Sequence, residues 1–270
     1  MTYKMRRKLF AFDIDGTLLN SDKLPLASTI EALQKLRKAG HFVTLATGRT
    51  RFLAQELIYQ LEFDNYILCN GSAAFLKHHQ IYKRLLPKME MQRFVKEAND
   101  LGIDTVFVGI DAYKRNTTFN LANIEDAMHS VGSSAPDLDP NFPQKEDIYQ
   151  GLAFYDTSLE NYFDEKYPNL SFVRWHENGV DVIPKGGSKA ATILEIAQRL
   201  GIEQKDIVSF GDGMNDREML QASGCGVAMG NASDEVALCA DRITDDNDHD
   251  GIWQALDKLG FLNNTVRKRA

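Results

Sequence analysis

Short apolar runs recur along this chain, and each stops at a polar or glycine-containing turn before a segment of helical period begins. "LFAF" at 9–12, "FVTLA" at 42–46, "YILC" at 66–69, "IVSF" at 207–210 and "GVAM" at 226–229 have the length of buried strands. Between them, apolar residues step by three and four: Ile30, Leu33 and Leu36, then Leu53, Leu57 and Leu61, then Ile193, Ile196, Ala197 and Leu200. A strand that is apolar throughout must be covered on both faces, and an intervening helix covers it. The alternation therefore specifies an α/β fold with a doubly wound, mostly parallel, Rossmann-like sheet core. Helix ends are marked too. Ser28 with Glu31 reads as a capping box closed by Gly40, and Ser188 reads as an N-cap for a helix ended by Gly201.

The rhythm fails in the middle. "MEMQRFVKEANDLGI" reads as a helix, and "DTVFVGI" and "IYQGLAFY" read as strands. The stretch "GSSAPDLDPNFPQKED", with Pro136, Pro140 and Pro143, is rich in loop residues. "LSFVRWHENGVDVI" reads as a strand pair turning at Asn178-Gly179. We expect residues 84–186 to form an inserted α+β cap domain, with residues 1–83 and 187–270 forming the core domain.

The balance of 31 basic and 38 acidic residues gives a net charge of −7, which argues against a broad nucleic-acid surface. A small phosphorylated partner is still compatible, because local lysines or a metal can bind it. Cys69, Cys225 and Cys239 form no CxxC pair, so we expect three buried thiols in a reducing cytoplasm, with no disulfide scaffold and no structural zinc. The basic "MTYKMRRKLFAF" has no apolar core of signal length before Asp13 interrupts it. No uncharged run approaches the roughly 20 residues that span a bilayer. We expect no membrane partner and a monomer or small homo-oligomer. The basic "NNTVRKRA" reads as a frayed tail. "HH" at 78–79 and His41 fit no zinc pattern and read as surface or loop histidines.

In an open parallel sheet the carboxyl ends of the strands share one edge, and ligands bind there. Asp13 and Asp15 follow the first strand. Thr47, Gly48 and Arg49 follow the second, and Asn70 and Gly71 the third. Gly211, Asp212, Gly213, Asn215 and Asp216 follow "IVSF", and Gly230 and Asn231 follow "GVAM". In an extended segment Asp13 and Asp15 point to the same side. Two carboxylates about 4 Å apart repel by roughly 4 kcal/mol at an effective dielectric near 20. Adding Asp212 and Asp216 makes shared protons costly, and an all-oxygen set suits Mg²⁺. Glycine turns, the Thr47 hydroxyl and Lys189 at the start of a helix add the parts of a phosphate site. Taken singly, each has a plainer reading. An Asp at a strand end is a turn or cap residue, Arg49 anchors a helix or pairs with an acid, Lys189 is a solvated helix residue, and Asn70 and Asn231 are turn formers.

Together, "DIDGTLL", "TLATGR", "GGSKAATI" and "FGDGMNDREML" resemble the four ordered motifs of the haloacid dehalogenase-like phosphohydrolases. "NGSAAF" and "AMGNASDEV" resemble further elements of the Cof-type subgroup, whose large α/β cap lies between the second and third motifs. The resemblance implies that Asp13 is the nucleophile that forms an aspartyl-phosphate. It implies that Asp15 protonates the leaving alkoxide and then deprotonates water. Mg²⁺ would be held by Asp13, the backbone carbonyl of Asp15, and Asp212, with Asp216 binding directly or through water. Thr47, Gly48, Lys189 and Asn215 would hold the phosphoryl oxygens, and Lys189 would offset the repulsion between nucleophile and substrate. The implied function is a Mg²⁺-dependent phosphatase of small metabolites, sugar phosphates or similar. A phosphomutase or phosphotransferase using the same intermediate is the alternative, as is a signalling domain that accepts phosphate without turnover. A dinucleotide enzyme is disfavoured, because no GxGxxG follows the first strand. The cap would close over the edge on hinges near Lys83–Pro87 and Pro184–Gly187, with Arg174, His176 and Asp181 as candidates for facing the cleft.

Overall fold

The computed structural model describes residues 6–262. By internal contacts the chain forms two compact units, Met1–Leu45 with Ile193–Ala270, and Ala46–Thr192. The first unit begins with β1 (Leu9–Phe12), α1 (Ala27–Lys38) and β2 (Phe42–Ala46), whose last residue already belongs to the second unit. Within the second unit follow α2 (Arg51–Gln60), β3 (Tyr66–Leu68), β4 (Ala73–Leu76), β5 (His79–Lys83), α3 (Lys88–Asp100), β6 (Asp104–Val108) and β7 (Tyr113–Arg115). They are succeeded by α4 (Leu121–Ser130), α5 (Phe142–Lys145), β8 (Gln150–Phe154), β9 (Leu170–His176), β10 (Gly179–Pro184) and α6 (Lys189–Arg199), whose residues from Ile193 onward belong to the first unit. The first unit closes with β11 (Ile207–Gly211), α7 (Arg217–Ala222), β12 (Cys225–Ala228), α8 (Asp234–Ala237), β13 (Arg242–Ile243) and α9 (Gly251–Lys258).

In the first unit the strand order is β13-β12-β11-β1-β2, and every neighbouring pair is parallel. This is the α/β class expected from the alternation. β1 is the centre of it. All four of its residues are 0% exposed, because strands flank it on both sides and helices cover it. Phe12 stacks on Phe210 of β11 with ring centroids 4.8 Å apart. Truncating either ring to alanine would cost about 3–5 kcal/mol, the range for a buried aromatic. α1 packs beside α9, with the Lys35 ammonium 4.4 Å from the Trp253 ring centroid.

The second unit holds the antiparallel run β3-β4-β5 and an antiparallel sheet of order β7-β6-β8-β10-β9. An aromatic cluster fills the core of the latter. Phe94 of α3 meets Phe163 edge-on at 5.1 Å, and Phe163 stacks with Phe172 at 5.5 Å.

Several expectations meet the structure at particular residues. The contacts divide the chain outside the 84–186 segment read from the sequence. Bonds from Arg84 N to Ser72 O (2.8 Å) and Arg51 N to Ile110 O (3.0 Å) join that segment to the turn between β3 and β4 and to α2. The Ser28–Glu31 capping box is not formed. α1 starts two residues earlier than a Ser28 cap would set, after Leu26, so Ser28 lies inside it and donates to Asp250 instead (2.5 Å). Ser188 does cap α6, accepting from Ala191 N at 3.3 Å, and β9 and β10 turn at Glu177-Asn178, one residue before the expected Asn178-Gly179, with Gly179 already in β10 opposite His176.

β4, β5, β7 and α4 have no counterpart in the sequence reading. The β4–β5 hairpin turns at Lys77-His78, both left-handed (φ 48° and 64°), where asparagine or glycine would have signalled the turn. His41 lies in the loop before β2 but is buried against Phe10, and desolvation with nearby Lys8 and Arg7 lowers its pKa. Only Cys69 of the three free thiols is fully buried. The "NNTVRKRA" tail lies outside the described residues. Among those residues, no helix is long and apolar enough to cross a membrane.

Candidate active site

The first unit assembles its acidic group where β1 and β11 end. Asp13 N still donates to Phe210 O (3.0 Å), extending the sheet pairing by one residue. The chain then turns, because Ile14 O accepts from Thr17 N (3.3 Å) and Leu19 N (3.0 Å). Residues 13–15 therefore do not form the extended segment expected from the sequence. The turn requires Gly16 at φ +76°, and a Cβ there would lie 2.1 Å from Asp212 Oδ2. Glycine both permits the backbone and leaves room for the carboxylate.

Asp212 is oriented by two neighbours. Thr17 Oγ1 donates to its Oδ1 at 2.7 Å, and Asn231 Nδ2 donates to its Oδ2 at 3.2 Å and to Gly16 O at 2.9 Å. Asp216 is 0% exposed and accepts from the backbone N–H groups of Asp212 (3.1 Å) and Gly213 (2.9 Å). Gly211 at the end of β11 makes this possible, since a Cβ there would lie 2.5 Å from Asp216 Cγ.

Carboxylate oxygens of Asp13, Asp212 and Asp216 lie within 4.8 Å of one another. Taking such charges out of water is costly unless opposite charge accompanies them. The donor set is all oxygen and the carboxylates are already pinned, which fits a hard divalent cation such as Mg²⁺. Asp15, half-buried within the turn, is not part of this carboxylate group. Asn215 is half-buried in the short turn Met214–Asp216.

The second unit gathers a different set. Thr47 is buried just after β2. Its Oγ1 accepts from Arg49 N (3.1 Å), and its carbonyl accepts from Asn70 N (3.0 Å). Gly48 forms the bend between them. Cys69, Asn70 and Gly71 all have positive φ (51°, 51° and 94°). Gly71 is pressed against the start of α6, where a Cβ would lie 2.2 Å from Ser188 O, and Thr192 Oγ1 donates to Gly71 O at 2.6 Å. Lys189, 1% exposed, opens α6. The structure thus brings together Thr47, Gly48, the 69–71 turn and the start of α6. Arg49 takes its plainer reading, donating from Nη1 to Leu53 O in α2 (3.3 Å).

Of the three cap candidates, Arg174 is tied to the segment after β8 through Glu160 (2.7 Å) and the Tyr155 carbonyl (2.9 Å), and to its own hairpin turn through the Glu177 carbonyl (2.8 Å). His176 Nδ1 accepts from Asn178 N (3.2 Å) in the same turn. Asp181 differs. It is buried in β10, where its carboxylate accepts from Asn70 Nδ2 (2.5 Å) and Gln150 Nε2 (2.9 Å). Burial pushes its pKa up to about 7, while the Asn70 bond and the Lys189 ammonium act in the opposite direction. Sequence reasoning missed the orienting parts of Thr17 and Asn231, although the hydroxyl after Gly16 was visible in the motif. Gln150 gave no signal at all.

A sequence model described as haloacid dehalogenase-like hydrolase matches residues 10–256. The chain is 36% identical over 258 residues to the putative phosphatase YkrA of Bacillus subtilis, covering 96% of this chain and 100% of that one. It is 29% identical over 282 residues to the pyridoxal phosphate phosphatase YbhA of Escherichia coli, covering 93% and 97%. The solved structure of the subclass IIB sugar phosphatase BT4131 superposes with a TM-score of 0.84 at 30% identity, covering 94% of this chain and 99% of that one. With a parallel α/β sheet, an acidic strand-end site and these relatives, the chain belongs to the haloacid dehalogenase-like hydrolases, in the Cof-type phosphatase subgroup. It is an enzyme, a phosphatase.

Proposed function

We propose that this enzyme hydrolyses phosphate monoesters of small metabolites, sugar phosphates or similar, with Mg²⁺ and through an aspartyl-phosphate on Asp13. The observation that carries the reading is the close group of Asp13, Asp212 and Asp216 at the ends of β1 and β11, with Asp13 and Asp216 buried. Asp13 attacks phosphorus and the bond to the ester oxygen breaks. The Asp15 carboxyl gives its proton to the departing alkoxide. The ionised Asp15 then takes a proton from water, whose oxygen attacks phosphorus and frees Asp13 and inorganic phosphate. Thr47, Gly48, Lys189 and Asn215 hold the phosphoryl oxygens through the transfer, and Lys189 offsets the charge that opposes the attack. Asp13, the Asp15 carbonyl, Asp212 and Asp216 would hold Mg²⁺, which would supply charge neutralisation at the transferring group.

Residues 84–186 serve as the cap that excludes water and selects the leaving group. The named activities of the relatives, on pyridoxal phosphate and on sugar phosphates, support a small phosphorylated substrate. The same reading places the enzyme in the cytoplasm as a monomer or small homo-oligomer, with neither nucleic acid nor membrane as partner. The test is a screen of phosphate monoesters with and without Mg²⁺, alongside Asp13→Asn. Folded but inactive Asp13→Asn, and loss of turnover on chelation, are the expected results. Turnover by that variant removes Asp13 from its role, and hydrolysis indifferent to chelation removes the metal.

A further inference from the structure

Asp181 is a buried carboxylate that no step above uses. It sits in β10, yet its hydrogen bonds run to β8 through Gln150 and to the turn after β3 through Asn70. That turn is costly to hold. Cys69 and Asn70 are both left-handed (φ 51°), and each such residue other than glycine costs roughly 1–2 kcal/mol. A clamp on each side of Asn70 holds it. Its N–H is bonded to Thr47 O (3.0 Å) and its side-chain amide to Asp181 (2.5 Å). The next residue, Gly71, packs on the backbone of Ser188 and Lys189.

Hydrogen bonding alone does not call for an acid here, since an amide would also offer Asn70 an acceptor. Charge does. The titratable group that acts on Asp181 is the Lys189 ammonium, buried at the start of α6, and Asp181 in turn adds to the burial that raises the neighbouring Cys69 thiol. A buried ammonium is stabilised by a carboxylate in its field.

We propose that Asp181 is a positioning residue of the phosphatase site, fixing Thr47 through Asn70 and balancing the charge of Lys189. The inference rests on the phosphatase reading. It is tested with Asp181→Asn and with Asn70→Gly, which keeps the left-handed turn but removes the amide. Three readouts are compared with the unaltered protein: the melting temperature, calorimetric binding of inorganic phosphate, and the pH profile of kcat/KM on a phosphate monoester that it hydrolyses. Both variants should melt cooperatively and bind phosphate about 10- to 100-fold more weakly, the usual effect of removing a group that orients a ligand-holding side chain. The unaltered enzyme should show a limb near neutral pH, and Asp181→Asn should lack it.

Unchanged phosphate affinity and pH profile in a folded Asp181→Asn overturn the proposal. Should Asp181→Asn fail to fold, the same outcome for Asn70→Gly overturns it. An unaltered protein that neither binds phosphate nor hydrolyses esters defeats the phosphatase reading itself, and the proposal with it.

Discussion

Thr17 Oγ1 donates to Asp212 Oδ1 at 2.7 Å, joining the turn after the first strand to a carboxylate 195 residues further along the chain. The bond fixes which way Asp212 presents its oxygens. Thr17→Val keeps the shape and removes the donor. We expect the Mg²⁺ concentration for half-maximal activity to rise about 10- to 100-fold, as when other orienting partners of metal ligands are removed. An unchanged Mg²⁺ requirement would show that Thr17 does not set the carboxylate.

Gly16→Ala should act through the same carboxylate. The new Cβ would stand 2.1 Å from Asp212 Oδ2 at a φ of +76°. The backbone alone costs roughly 1–2 kcal/mol. Moving Asp212 by a fraction of an ångström should lower kcat about 100-fold. Thermal melting and kcat measured on one preparation check both parts, and wild-type kcat would refute the geometry.

Asp104 concerns the second unit alone. It is buried and accepts from Thr117 Oγ1 (2.8 Å), Phe119 N (2.9 Å) and Asn120 N (2.7 Å), closing the loop before α4. Asp104→Asn turns one acceptor toward these donors as a donor itself. A loss of about 1–3 kcal/mol in urea unfolding is expected, with Mg²⁺ dependence unaltered.

Stability should fall as pH rises through neutrality on account of Asp181. Its carboxyl is pushed from 3.8 to about 7 in the folded chain, mainly by burial. The folded state therefore binds this proton more tightly than the unfolded state does. Its contribution is complete below about pH 4 and lost as pH climbs past about 7. Asp181→Asn should flatten that part of the melting-temperature profile between about pH 4 and about pH 7. An equal slope in the variant would assign the effect elsewhere.

Sequence alone determined the α/β class. Apolar runs such as "LFAF" and "IVSF" need cover on both faces whatever their surroundings, and the helical steps of Leu53, Leu57 and Leu61 supply the covering elements. It also singled out candidate site residues, because Asp13, Asp212, Thr47 and Lys189 follow or open elements whose ends the pattern marks. Tertiary packing decided the rest. The β4–β5 hairpin turns on Lys77 and His78, residues with no preference for left-handed backbone, so pairing and not local propensity makes it. Ser28 gave up its cap for Asp250, a partner more than two hundred residues away. Asp181, Gln150 and Asn70 meet only because two sheets of one unit bring them together, and a hydrogen bond between residues so far apart in the chain leaves no trace in local periodicity.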